Sequence, residues 1–213
     1  MLHDIIMSEQ FNDFFAMSNI PLFQTNISSL QRLHQGKVRD IYAVDDKTML
    51  LVSSDRLSAF DVILPTAIEN KGAMLTQMAN FWFEKLKHVV PNHLTGIDPD
   101  TVVTAPAEKA QLGSRAVVVK KLTPLPIEAI VRGYIIGSGW KEYQAKGTLC
   151  DIPLPVGLRI ADKLAEPLFT PSSKADVGGH DENISVAEVE KLIGKDMAAQ
   201  VAKVAIQLYT EAA

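Results

Sequence analysis

The 213-residue chain has a single cysteine, Cys150, so no disulfide can form within it and a reducing compartment is expected. It has no uninterrupted apolar run of the roughly 18 residues that a membrane-spanning helix needs. No cationic stretch followed by an apolar segment opens it, as a secretory leader would. It also lacks a basic excess: 21 Lys and Arg stand against 25 Asp and Glu, a net charge of -4. That argues against charge-driven nucleic-acid binding. It leaves room for small anions at local basic clusters. Internal repeats and low-complexity tracts are absent, and so is the G-x-x-x-x-G-K-[ST] phosphate loop. The expectation is a cytoplasmic globular protein with no membrane and no nucleic-acid partner, large enough for one domain or two small lobes.

What is present has a readable order. Phe11, Phe14, Phe15 and Met17 suggest a short N-terminal helix. Val38, Ile41, Tyr42 and Val44, then Met49 to Val52, flank Asp45-Asp46 and read as a hairpin. Met74, Leu75, Met78, Phe81, Trp82, Leu86 and Val89 recur at three and four, which predicts a helix over 74–90 with its aromatic pair in the core. Ala116 to Val119 is a β-branched run typical of a buried strand. Two prolines, Pro124 and Pro126, mark a bend before a second strand from Ile127 to Val131. A helix is expected to open near Trp140. Residues 147–183 lack periodicity and read as a long irregular segment. Ser185 and Glu188 match a capping box, and the helix after them runs almost to the end of the chain with a break at Gly194. Cys150 reads as a half-buried small residue rather than a nucleophile.

Four clusters have chemical content. In Gly36-Lys37-Val38-Arg39-Asp40 a glycine allows close backbone approach. Two cations two residues apart on a strand would face the same way. They suit a phosphate, or else form a solvated hairpin face. Asp55, Arg56, Ser58 and Asp61 crowd the end of the next strand. They can grip an anion, or form a salt-bridged turn with an Asp capping a helix. Glu128 and Arg132, four apart on a strand, would share a face and need each other or a ligand. Gly137-Ser138-Gly139 follows, a turn offering N–H groups and a hydroxyl to an anion. Lys174 and Asp181 lie on the long loop, where the acidic groups also suit the start of the last helix. His180 has no second His or Cys at ligand spacing, so it is not read as a metal ligand.

Together these stretches resemble the phosphoribosylaminoimidazole-succinocarboxamide synthase (SAICAR synthetase) family. The matching words are Gly36–Tyr42, Ser54–Asp61, Asn70-Lys71-Gly72, Pro126–Ser138, Phe169–Ala175 and His180–Ser185, in the family's order. The resemblance implies a two-lobed, ATP-grasp-like fold mixing α and β elements, with residues 1–120 in one lobe and 121–213 in the other. It implies ligation of L-aspartate to 5-aminoimidazole-4-carboxyribonucleotide, driven by ATP and Mg²⁺. Gly36, Lys37, Val38 and Arg39 would cover the ATP phosphates, and the strand ending in Lys120 and Lys121 would line the adenine side. Asp55, Arg56, Ser58, Asp61, Glu128, Arg132, Gly137, Ser138, Lys174 and Asp181 would meet the other substrates. In the family more sheet follows a helix like Val186–Tyr209 and supplies the magnesium ligands. The expectation is therefore a shortened form with an uncovered sheet edge and no nameable metal ligand. Binding of ATP or the ribonucleotide without ligation is the alternative. A small-molecule kinase is a weaker one, because the H-R-D signature is missing.

Overall fold

A computed structural model of the chain describes residues 21–59, 62–174 and 182–213. They fall into two compact units. The first is built from the described residues up to Lys85 with Asn92–Leu122, and the second from Leu86–Pro91 with Thr123–Ala213. The division thus follows Leu122 rather than residue 120, and Leu86–Pro91 belongs with the second unit. The expected N-terminal helix around Phe11 to Met17 lies outside the described residues.

In chain order the first unit holds β1 (Arg32–Gln35), β2 (Arg39–Ala43), β3 (Thr48–Ser53), β4 (Ser58–Ala59), β5 (Val62–Ile63), helix α1 (Lys71–Lys85), the short α2 (Pro106–Lys109) and β6 (Ala116–Lys120). Four strands form an antiparallel sheet in the order β1-β2-β3-β6. β3 and β6 are apolar and lie centrally, where β-branched residues pack well. β1 carries Arg32, His34 and Gln35 and is exposed throughout, a polar edge that discourages further pairing. The expected β2–β3 hairpin is present, and Asp45 closes its turn by accepting from the Lys47 and Thr48 N–H groups at 2.7 Å. Ile27, Tyr42, Leu50, Val52, Leu112 and Val118 form the core on one face of the sheet.

α1 departs from expectation. It runs over Lys71–Lys85, and its buried residues are Gly72, Ala73 and Thr76. Met74, Met78 and Phe81 are 50%, 55% and 42% exposed, so Phe81 is not core. The reason is the closeness of the packing. A Cβ on Gly72 would lie 2.3 Å from the Ser53 carbonyl oxygen. The helix therefore sits on the sheet through its small residues, and the large ones turn away.

The second unit holds β7 (Ile127–Glu128), β8 (Val131–Tyr134), α3 (Gly137–Lys146), β9 (Thr148–Leu149), β10 (Ile152–Pro153), β11 (Lys163–Phe169), β12 (Ser172–Ser173), α4 (Val186–Ile193) and α5 (Lys195–Ala212). The segment expected to be irregular contains four of these strands, and β11 pairs antiparallel with β8. Pro167 and a bulge-like shift in register between Lys163 and Leu168 blur its alternation. The expected strand over 127–131 is two short strands, β7 paired with β12 and β8 with β11. α3 opens at Gly137, three residues before Trp140. The capping box is present: Ser185 Oγ accepts from the Glu188 N–H at 3.3 Å, and Glu188 Oε2 accepts from the Ser185 N–H at 2.8 Å. Gly194 breaks the helix at φ 84°, a left-handed value that favours glycine. Ile135, Leu149, Cys150 and Leu164 form one core cluster, and Ile127, Val189 and Ala198 another. No helix among the described residues is long and apolar enough to cross a membrane.

Candidate functional site

In the first unit the Gly36–Arg39 segment is a tight turn joining β1 to β2, with the Gly36 N–H donating to the Arg39 carbonyl at 2.7 Å. Lys37 lies in this turn and not on the strand. The expectation that Lys37 and Arg39 share a strand face therefore fails, because strand alternation begins only at Arg39. Both side chains are exposed.

Arg56 and Asp55 require a larger correction. Arg56 is 2% exposed and Asp55 0%. The Arg56 guanidinium donates to the carbonyls of Phe23, Gly36 and Lys37 at 2.6, 2.9 and 3.0 Å, and to Asp40 Oδ1 at 2.8 Å. Asp55 Oδ1 accepts from the Gly72 N–H at 2.8 Å and from Arg115 Nη1 at 2.9 Å, while Oδ2 accepts from the Leu22 N–H at 2.7 Å. Both are buried and tied to partners inside the protein, which accounts for them as a structural pair of anchors. Arg56 fixes the carbonyls of the glycine turn, and Asp55 holds the N-terminus of α1, where a negative charge suits the helix dipole. Burial pushes the Asp40 carboxyl up, but the Arg56 guanidinium with the Thr25 hydroxyl and N–H outweighs it and holds the group below its ordinary value. Ser58 opens β4, opposite Ile63 of β5. Asp61 lies outside the described residues.

Beside the turn is a cavity of about 250 Å³. Leu51 and Val117, cross-strand partners, form its floor, and Leu75 and Phe83 of α1 its wall. Arg39, Lys71 and His93 are its ionisable lining residues. Burial, then the positive charges of Arg39 and Lys120, push the His93 imidazole below its ordinary pKa. Lys120 ends β6 and reaches the Asn92 carbonyl at 3.4 Å, and Lys121 follows it, exposed.

In the second unit the centre is Arg132. Its Nη1 donates to Thr170 Oγ1 at 2.6 Å and to the Thr170 carbonyl at 3.0 Å. Its Nη2 donates to Ser138 Oγ at 3.0 Å and Asn183 Oδ1 at 3.4 Å. The Asn183 side-chain amide donates to Glu142 Oε2 at 2.8 Å, and Glu142 Oε1 accepts from the Cys150 N–H at 2.9 Å. The guanidinium, carried by β8, is thus clamped by Thr170 between β11 and β12, by Ser138 in the first turn of α3 and by Asn183 after β12. A Cβ on Gly139 would press on Leu149 Cδ1 at 3.2 Å and meet Arg132 Cδ at an ordinary contact distance of 3.4 Å. Gly137 has φ 61°, which sets the turn that presents Ser138. Ser172 is 2% exposed and its Oγ has no hydrogen-bond partner among the described residues. No bond joins Glu128 to Arg132; Glu128 sits on β7 opposite Ser172, exposed, because the strand is interrupted between the two residues. Lys174 is exposed after β12, and Asp181 and His180 lie outside the described residues. Thr170, Asn183 and Glu142 were not singled out from sequence. Thr170 and Asn183 stand in the matching words Phe169–Ala175 and His180–Ser185, which was the available signal.

The sequence pattern of the SAICAR synthetase family matches residues 32–213. The chain belongs to the SAICAR synthetase family. It is 70% identical over 193 residues to the phosphoribosylaminoimidazole-succinocarboxamide synthase of Methylobacillus flagellatus, covering 91% of this chain and 65% of that protein. The structure resembles that of SAICAR synthase from Saccharomyces cerevisiae complexed with SAICAR, with a TM-score of 0.82 and 42% identity over 89% of this chain and 64% of the other. A SAICAR synthetase in complex with ADP shares the fold at a TM-score of 0.64 and 22% identity, over 83% of this chain and 65% of the other. The chain therefore has the SAICAR synthase fold, and it spans about two thirds of the length of such relatives. No group of three or more His, Cys, Asp or Glu side chains among the described residues is arranged to hold a metal ion, so the Mg²⁺ of the family resemblance is given no ligand here.

Proposed function

We propose that the chain serves the ATP-dependent ligation of L-aspartate to 5-aminoimidazole-4-carboxyribonucleotide, giving SAICAR, ADP and phosphate in purine biosynthesis. The observation that carries this reading is the Arg132 guanidinium, clamped by Thr170, Ser138 and Asn183 beside the start of α3. A fixed guanidinium next to a hydroxyl and a helix N-terminus suits a phosphate monoester. The ribonucleotide has such a group, and the yeast relative was solved with the corresponding product.

A carboxylate is a poor electrophile. Transfer of the γ-phosphoryl of ATP to the ribonucleotide carboxylate gives an acyl phosphate and ADP. The aspartate amine then attacks the acyl carbon, the bond to phosphate breaks, and the amine nitrogen loses a proton. Such chemistry rests on positioning and charge neutralisation and needs no protein nucleophile. Arg132 and Ser138 hold the ribonucleotide phosphate in this scheme, with Gly137 shaping the turn and Glu128 and Lys174 at its margins. Lys37, Arg39, Lys120 and Lys121 neutralise the nucleotide, and a protein of the same fold has been solved with ADP.

Phosphate release measured with ATP, Mg²⁺, ribonucleotide and aspartate together tests the reading. Release that requires both aspartate and the ribonucleotide is expected. Release unchanged when aspartate is omitted contradicts ligation. Ribonucleotide binding without any turnover would reduce the role to binding.

A further inference from the structure

Arg132 is held differently from Arg56 and Arg115. Those two each donate to a carboxylate, Asp40 and Asp55, at 2.8 and 2.9 Å. Arg132 donates to the Thr170 carbonyl and hydroxyl, the Ser138 hydroxyl and the Asn183 side-chain oxygen. Among the described residues every one of its acceptors is uncharged. A guanidinium paired with a carboxylate has lost much of its attraction for a second anion, whereas one held by neutral dipoles keeps it. A carboxyl group is nonetheless close by, one residue removed. Glu142 Oε2 accepts from the Asn183 amide nitrogen at 2.8 Å. The Asn183 oxygen is thereby turned the other way, toward Arg132 Nη2 and Ser138 Oγ, each at 3.4 Å. A side-chain amide has one donor end and one acceptor end, so a carboxyl at the first dictates what the second presents. Ser138 and Glu142 stand one turn apart on the same face of α3, which brings both to Asn183.

Glu142 is itself anchored by a strained turn. Cys150 and Asp151 link β9 to β10, and both have positive φ, 50° and 65°. A hairpin turn of this kind favours Asn and Gly, and a cysteine adopts it at a cost that the surrounding contacts must offset. In that conformation the Cys150 N–H donates to Glu142 Oε1 at 2.9 Å. One oxygen is thus tied to Cys150 and the other to Asn183, rather than to the guanidinium.

We propose that Glu142 is a positioning residue for the ligation: acting through Asn183, it orders Arg132 while leaving the charge of the guanidinium to the ligand. Asn183 is the neutral spacer between the two charged groups. This role rests on the reading of Arg132 as the contact to the ribonucleotide phosphate. Two variants separate ordering from charge. Glu142→Gln keeps the size but puts an NH2 group where an acceptor was. Its one oxygen can serve Cys150 or Asn183 but not both, so the Asn183 amide loses its fixed orientation. The exchange Glu142→Gln/Asn183→Asp restores the chain of hydrogen bonds, because the new amide donates to the new carboxylate and that carboxylate accepts from Arg132. It restores order but places a negative charge directly on the guanidinium.

The experiment compares the full chain with these two variants, using thermal unfolding to check the fold. NMR of the arginine side chains reads the Arg132 Nη protons without ligand, with Arg132→Lys assigning the signals, and calorimetry reads the affinity for the carboxyribonucleotide. In the parent chain the Nη signals should be resolved. In Glu142→Gln they should merge through rotation, and the affinity should fall about tenfold. In the exchange variant they should separate again, yet the affinity should stay about tenfold or more below the parent. A residue with a merely structural role would regain both. Affinity restored in the exchange variant therefore overturns the inference. So do Arg132 signals that are unresolved in the parent or stay merged in the exchange variant, signals or affinity unchanged in Glu142→Gln, and failure of either variant to fold. A parent chain that shows the ordering pattern but binds no ribonucleotide upholds Glu142 as the group that orders Arg132 and overturns the phosphate reading instead.

Discussion

The Arg56 guanidinium donates to Asp40 Oδ1 at 2.8 Å, and the two side chains are 2% and 0% exposed. Arg56 also holds the carbonyls of Gly36 and Lys37, so one buried ion pair fixes the turn that carries Lys37 and Arg39. Removing one partner leaves the other charged and buried. Asp40→Asn should destabilise the chain by about 3–5 kcal/mol. Denaturant titration checks it, and a loss below about 1 kcal/mol would show that the pair is dispensable.

A side chain at Gly133 would have to displace the end of the Tyr209 ring. A Cβ there would lie 2.1 Å from Tyr209 Oη and 2.8 Å from Cζ. Gly133→Ala should cost about 1–3 kcal/mol through overpacking. The double variant Gly133→Ala/Tyr209→Ala should lose less than the sum of the two single changes. Strict additivity, measured by the same unfolding titrations, would remove Tyr209 as the cause.

Glu108 fixes the segment before β1. Its carboxylate accepts from the Ser29 hydroxyl and N–H and from the Ser28 hydroxyl. The Ser29 hydroxyl above all, and then its N–H and the Ser28 groups, outweigh the effect of burial and pull the pKa from 4.5 down to about 2. A depressed carboxyl pKa contributes stability that is complete above the unfolded value and lost as pH falls toward the folded one. The contribution should therefore fade between pH 4.5 and about 2. Thermal unfolding of Glu108→Gln across that range should show a shallower pH dependence than the parent chain. Parallel curves would contradict this role.

Cys150 is buried, and burial foremost, with Glu142 nearby, pushes its thiol up to about 11. Thiolate is the reactive form, so the native protein should resist a thiol reagent at pH 8. One equivalent should react after denaturation. Rapid native labelling would show that the core around Leu149 and Leu164 opens readily.

The reach of the sequence was uneven for physical reasons. The β2–β3 hairpin, the β6 strand, the Ser185 capping box and the Gly194 break are local devices, and local signals found them. β11 was hidden because it contains Pro167 and shifts register against β8. The helix α1 is legible from its spacing but its buried face is not, because its Met and Phe residues match a buried stripe while Gly72, Ala73 and Thr76 are the buried ones. In the candidate site, Arg132 and Ser138 were found and lie together. Asp55 and Arg56 look identical in sequence whether they grip a ligand or the chain itself, and only their partners decided it. Thr170 and Asn183 reach Arg132 from distant positions, and Glu142 reaches Asn183, relations no spacing rule contains.

The most direct test of the account is calorimetric titration of the carboxyribonucleotide and of ATP, separately, into the parent chain and into Arg132→Ala. Loss of a clamped guanidinium from a phosphate should weaken ribonucleotide binding by about 2–5 kcal/mol, some thirtyfold or more, while ATP binding stays within about threefold. Equal weakening of both ligands, or ribonucleotide binding unchanged by the substitution, would contradict it.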